Sequence, residues 1–324
     1  MGERRTIGQS IAEAGRSKTF QVVAGTLTGV LIIVVMVALS TLVFRAYGWG
    51  LFVLTPIVVG FTTGFLVNRH ELRSMRATNG LVLLSAALGC FGLILFALEG
   101  LVCLIMAAPL GALGAVGGGA LGRRAARIGK DPVGPIYCIA LLPAMFALDA
   151  SFPPAVTMVT SESIVIEASP TEVWQALISD QPILETPTLA GRLGLAYPRR
   201  AQLFGHRVGA MRIGFFSTGE ARERVTDWDE GKLLAFTVLE QPPAMKEMSP
   251  HRHVHAPHVA GYFKTGETRF HLHAVNRSQM RLTIRATHHL QIDPIIYWEP
   301  IARWAISGNS RRVLMDLKVK AERR

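Results

Sequence analysis

The 324-residue chain is half apolar, sets 34 Lys and Arg against 23 Asp and Glu for a net charge of +11, and has three cysteines. That length allows about two domains. So much aliphatic and aromatic residue excludes a disordered or collagen-like chain, and the three cysteines, Cys90, Cys103 and Cys138, exclude a disulfide scaffold. Only six charged residues, Arg45, Arg69, Glu71, Arg73, Arg76 and Glu99, fall in the 104 positions from Thr19 to Gly122, too few for the surface of a water-soluble domain.

A hydrocarbon core of about 30 Å takes a helix of about 20 apolar residues. Residues 19–44, 49–67, 80–98 and 100–122 predict four such spans, and 132–148, interrupted by Pro135 and Pro143, a weaker fifth. The first is too long for a signal peptide, and no small-residue cleavage site follows it. Lys and Arg collect in three groups: Arg4, Arg5, Arg16 and Lys18 in the segment 1–18; Arg69, Arg73 and Arg76; and Arg123, Arg124, Arg127 and Lys130. All three fall on one side, which the excess of basic residues makes cytoplasmic. Five spans place everything after Asp149 outside the cytoplasm; four leave it inside.

Small residues four apart let helices approach closely in lipid. Gly25 and Gly29, Gly60 and Gly64, and Gly114, Gly118 and Gly122 have this spacing and read as packing seams, which also offer a surface for pairing copies of the chain. Glu99 and Asp149 sit at span ends. Beside Gly100, Glu99 reads as a turn residue of a helical hairpin rather than an ion site.

After a linker at 151–160 the period changes, and 161–324 reads as a second domain. Ser163 to Ala168 predicts a strand. Ser169, Pro170 and Glu172 then form a capping box opening a helix to about Ser179. Six strands follow, at 206–216, 220–228, 232–240, 258–264, 268–276 and 279–292, with hairpin-like turns at Asp229-Glu230-Gly231 and Lys264-Thr265-Gly266. Asp293 and Pro294 open a last helix, on which Tyr297, Ile301, Trp304, Gly308, Met315 and Val319 share a stripe that would face the sheet.

The order strand, helix, six strands, long helix, opened by Ile164-Val165-Ile166-Glu167-Ala168-Ser169-Pro170-Thr171-Glu172-Val173-Trp174, resembles the START-like SRPBCC superfamily, with its polyketide cyclase and lipid-transfer relatives. The stretch from Val225 to Phe236, Val-Thr-Asp-Trp-Asp-Glu-Gly-Lys-Leu-Leu-Ala-Phe, resembles its third-to-fourth strand hairpin. Pro257-His258-Val259-Ala260-Gly261-Tyr262-Phe263 and Tyr297-Trp298 resemble a membrane-anchored bacterial branch. The resemblance covers residues 160–322. Added to the apolar spans of 19–150, it implies an α-helical multi-span membrane domain followed by an α+β helix-grip domain, its antiparallel sheet wrapped on a long C-terminal helix, in a bacterial inner membrane. It further implies a lipid or other hydrophobic ligand bound between sheet and helix, and no shared catalytic residue.

Candidate residues follow from these patterns. Trp174, Tyr262, His288, Tyr297, Ile301, Trp304, Gly308 and Arg312 are expected around the ligand. Strand alternation puts His288 with Leu282, Ile284, Ala286 and Leu290 on the apolar face, where a histidine satisfied by core partners is the simpler reading. It puts His271 and His273 with Arg269 on the polar face. Arg311 and Arg312 flank the helix stripe, as guanidinium groups for an anionic head group or as surface residues. His251, His253, His255 and His258 are dense enough for a metal site, but Pro250 and Pro257 favour a solvated loop, so no metal is assigned. Gly-x-Ser-x-Gly, His-Glu-x-x-His and the phosphate-binding glycine loop are absent, which leaves no catalytic motif, no cofactor and no nucleic-acid motif. A binder beside the bilayer leads; a cyclase- or hydrolase-like enzyme, or a sensor or assembly module, is the alternative.

Overall fold

A computed structural model describes residues 18–129, 133–246, 249–251, 261–276 and 278–323. The chain divides into a helical unit up to Pro153 and a sheet-and-helix unit from Pro154 onward.

In the helical unit, α1 (Lys18–Ala38) passes into a π-helical stretch, Leu39–Phe44, and a second π-helical stretch, Gly50–Leu54, leads into α2 (Thr55–Asn68). The unit continues with α3 (Met75–Leu95), α4 (Leu101–Ile128) and α5 (Val133–Ser151). Among the described residues, five helices are long and apolar enough to cross a membrane. α3 starts five residues before the apolar run at Gly80, because the Ser74 side chain caps it by accepting from the Ala77 N–H at 3.2 Å. α5, the weakest expectation, joins the bundle through Leu142 and Phe146, both fully buried against Ile32, Val58 and Val59.

The glycine seams are consumed inside the chain. A Cβ on Gly60 would strike the Ala115 carbonyl, and one on Gly118 or Gly122 would strike backbone of Ile57 or Phe61, so α2 and α4 approach where no side chain intervenes. Glu99 is more than a turn residue: it is 4% exposed, and the Tyr47 hydroxyl donates to it at 3.0 Å. Asp149, on α5, accepts from the Gly50 N–H at 2.8 Å.

The second unit holds β1 (Val156–Ile166), α6 (Pro170–Ile178), the single turn α7 (Leu189–Arg192), β2 (Pro198–Phe204), β3 (Met211–Phe216), β4 (Gly219–Asp229), β5 (Leu233–Glu240), β6 (Phe263–Ala274), β7 (Met280–Leu290) and α8 (Ile295–Glu322). The seven strands form one sheet in the order β1-β7-β6-β5-β4-β3-β2, every pairing antiparallel. With the long C-terminal helix this is a helix-grip arrangement. The capping box on α6 is present as expected, Ser169 and Glu172 each bonding the other's backbone N–H.

Four expectations need correction. β1 begins at Val156, inside the segment read as linker, because its eleven residues pair along the whole of β7. β2 lies in a stretch read as irregular: it is an edge strand rich in Arg, bonded on one side only by β3, and edge strands need no apolar alternation. The strands expected at 258–264 and 268–276 meet in the single strand β6, whose described residues run from Phe263 to Ala274, and Lys264-Thr265-Gly266 is no turn, since the register against β7 shifts between Thr265 and Thr268 as a bulge. α8 begins at Ile295, its N–H bonded to the Asp293 carboxylate at 3.1 Å.

The helix stripe was also out of phase. Trp304 is 52% exposed, and Met315 and Val319 are exposed as well. The buried face of α8 is Trp298, Ala305, Arg312, Leu314, Asp316, Leu317 and Ala321. Two ionic residues belong to it because nearby loop backbone needs partners, which a stripe of apolar residues cannot reveal.

Candidate functional site: the helix-facing side of the sheet

Alternation along each strand sends one set of side chains toward α6 and α8. At one end this face is a packed apolar core: Ile166, Val173, Trp174, Leu234, Phe270, Leu282 and Leu314 lie in one buried cluster. Trp174 is 1% exposed and meets Trp228 edge-to-face at 5.1 Å. Its indole N–H finds no hydrogen-bond partner among the described residues.

Toward the other end the same face turns polar. Arg212 on β3 and Glu223 on β4 are directly paired across the strands and form an ion pair, with the Arg212 side chain 16% and the Glu223 side chain 3% exposed. The Arg212 guanidinium also lies over the Phe236 ring, 4.1 Å from its centroid, and Phe236 belongs to the apolar cluster. This fixes the pair on the helix-facing side. Gly214 makes the room: a Cβ there would stand 3.1 Å from Glu223 Oε1. Burial pushes the Glu223 carboxyl above the usual carboxylate range, and Arg212 opposes the shift.

His288 stands in the next part of this face. It is 3% exposed; its Nε2 is 3.2 Å from the Thr160 hydroxyl, its Nδ1 3.3 Å from the Thr265 hydroxyl, and its ring stacks on Phe263 at 5.5 Å. Both ring nitrogens are therefore engaged by protein. Burial first, then the charges of His289 and Arg303, push its pKa down to about 4, so it is neutral at pH 7. Glu223 and His288 are three strands apart, about 14 Å at the usual strand spacing, and do not form a dyad.

The remaining sequence-derived residues are scattered. Arg312 is not at a cavity mouth: its guanidinium donates to the carbonyls of Glu185 at 2.7 Å, Pro198 at 2.6 Å and Ile183 at 3.4 Å, and lies 5.2 Å from the Tyr197 ring centroid. It ties two loop segments to α8. Arg311 bonds Glu162 on β1 at 2.8 and 3.2 Å. Gly308 faces Thr188, whose Cγ2 a Cβ would meet at 3.4 Å, rather than the sheet. Tyr297 packs edge-to-face on its neighbour Trp298 at 5.1 Å, while Ile301 and Tyr262 are half-buried. A groove of about 170 Å³ between the 181–186 loop and α8 is lined by Leu184, Glu185, Val319, Lys320 and Arg323, away from the ion pair.

His251 is exposed; His253, His255 and His258 lie outside the described residues, and among the described residues no group of three metal-ligating side chains converges. Arg212 and Glu223 are the residues that sequence reading missed. The signal was present in Ala221, Glu223 and Val225, where alternation places an acid between two apolar residues on one face.

No family model and no curated protein matches the sequence. Among solved structures the chain is similar to norcoclaurine synthase from Thalictrum flavum (16% identity, 52% of this chain and 97% of that one, TM-score 0.32). It is also similar to the Zhui aromatase/cyclase from Streptomyces sp. R1128 (14% identity, 52% and 96%, TM-score 0.33). A third similar structure is the Aha1 dimer from Colwellia psychrerythraea (20% identity, 51% and 97%, TM-score 0.29).

Proposed function

We propose that this is an integral membrane protein whose helix-grip unit binds a lipid or other hydrophobic ligand between sheet and α8 and hands it over beside the bilayer. The supporting observation is the Arg212–Glu223 pair with Phe236 on the helix-facing side of the sheet. An ion pair buried there adds little stability over apolar residues of the same size. It would, however, give the polar end of an apolar molecule a guanidinium and a carboxyl to bond. In this reading the five apolar helices anchor the unit, and the Lys and Arg groups flanking them support a cytoplasmic N-terminus and a C-terminal unit outside the cytoplasm.

A second reading, a cyclase- or hydrolase-like activity at the same place, is favoured by one observation: a carboxyl raised in pKa by burial is suited to acid–base work. The test is native mass spectrometry of the full chain extracted in detergent. Wild type should carry a bound apolar molecule of defined mass, and Arg212→Met/Glu223→Leu, melting at the same temperature, should not. Equal retention by the two proteins overturns the assignment of the pair.

A further inference from the structure

The opposite face of the sheet, which neither α6 nor α8 covers, has an arrangement of charge that folding does not ask for. On β6 it presents Lys264, Arg269, His271 and His273; on β7, Arg281, Thr283, Arg285, Thr287 and His289. Register places Lys264 opposite His289, Arg269 opposite Arg285, and His273 opposite Arg281. Of the four cross-strand pairs on this face outside the bulge, Arg269 and Arg285 set two permanent cations opposite each other, two more set a histidine against Lys264 or Arg281, and the fourth is His271 opposite Thr283. Like charges directly opposed destabilise a sheet, and on an exposed face almost any polar residue would have served.

The neutralising groups are few. Glu267 holds Arg269 at 2.6 Å and the Thr226 hydroxyl at 3.1 Å, and Asp227 acts on Arg269 and His271 from β4. His289 bonds the Thr157 hydroxyl at 3.0 Å. Arg281 and Arg285, both exposed, have no acidic partner among the described residues. The neighbouring β1 positions that register brings to this face, Ser161 and Val165, add no charge. Crowding is visible at His271, held below its ordinary range by burial and then by His273, Arg269 and Arg285; its ring stacks on His273 at 6.1 Å.

We propose that this face docks on an anionic phospholipid surface. The basic groups follow β6 and β7 for about 27 Å at the usual rise per residue, a run suited to an extended negative surface rather than to one compact anion. No Phe, Tyr or Trp sits among them as a platform for nucleic-acid bases. The same chain supplies five helices able to enter a bilayer, and each basic side chain near an anionic membrane strengthens binding by roughly fivefold.

The test uses the full chain in nanodiscs, either of phosphatidylcholine alone or mixed with phosphatidylglycerol. Co-elution with the discs reports on the helices separately, and carbethoxylation of His273 and His289 by diethyl pyrocarbonate, read by mass spectrometry, reports on the sheet face. Modification should slow by roughly fivefold or more with phosphatidylglycerol, and Arg281→Glu/Arg285→Glu should abolish the slowing while tryptophan emission stays unchanged. Equal rates in the two lipids overturn the proposal. So does equal protection by inorganic pyrophosphate in phosphatidylcholine discs, which would mark a small-anion site, or protection confined to discs holding two chains, which would mark a self-interface.

Discussion

The two ends of the helix-facing side of the sheet solve the same burial problem with different chemistry. Around Trp174, Leu282 and Leu314 the face is apolar and closely packed, where every removed atom leaves a void. Around Arg212, Glu223 and His288 the groups are polar, just as deeply buried in the case of Glu223 and His288, and each is held by named partners. Packing alone would have been better served by leucines at both ends. The polar end is therefore where a role other than holding the fold is to be sought.

The largest expected effect breaks the polar end from one side. Arg212→Met leaves the Glu223 carboxyl buried without its cation and should cost about 3 to 5 kcal/mol, whereas Arg212→Met/Glu223→Leu should return to within about 1 kcal/mol of wild type. Tryptophan-monitored melting of the full chain decides this. A single variant as stable as wild type would mean that the carboxyl is not confined as described.

A smaller effect separates the ends by pH. The His288 pKa is depressed to about 4 in the folded protein, while the unfolded chain takes up the proton near 6.5. The unfolded state then binds more protons between these values, so stability is full above pH 6.5 and falls as pH drops toward 4. The loss should reach about 3 kcal/mol, and His288→Gln should flatten that part of the curve. Superimposable melting profiles of wild type and variant from pH 7 to 4.5 would count against the buried, neutral imidazole.

The smallest effect concerns the helix. Trp304→Ser should change stability by no more than about 0.5 kcal/mol, as for other surface positions, although Trp304 is the largest side chain on the stripe that sequence periodicity selects. A loss of about 3 kcal/mol or more, as for a core Trp, would restore that stripe to the sheet.

Much of the architecture was legible. Long apolar runs predict helices, Ser169 and Glu172 a capping box and the alternation in β7 a strand with one buried face; each expresses one local rule, and the structure has all three. What escaped depends on partners distant in sequence. Arg312 and Asp316 are buried because the carbonyls of Glu185 and Pro198 and the N–H of Leu184 require them, and nothing on α8 itself announces those loops. Arg212 was hidden because β3 is short and its partner Glu223 is identified only by register. β2 was missed because an Arg-rich edge strand has no periodicity to detect, and β6 was split because Gly266, at its bulge, imitates a turn.

The lysine and arginine of α8 that reach β1 have one more consequence. Arg303 donates to the Val159 carbonyl at 2.8 Å and Lys318 to the Val165 carbonyl at 2.9 Å, on a strand with a partner on one side only. Those carbonyls would otherwise be an open template for a strand from another molecule. At the opposite margin the Ile183 N–H bonds the Arg199 carbonyl of β2 at 2.7 Å, so each margin has carbonyls taken up by the chain itself. A copy that lost its last helix would bare those two carbonyls and offer β1 for edge-to-edge pairing with another strand.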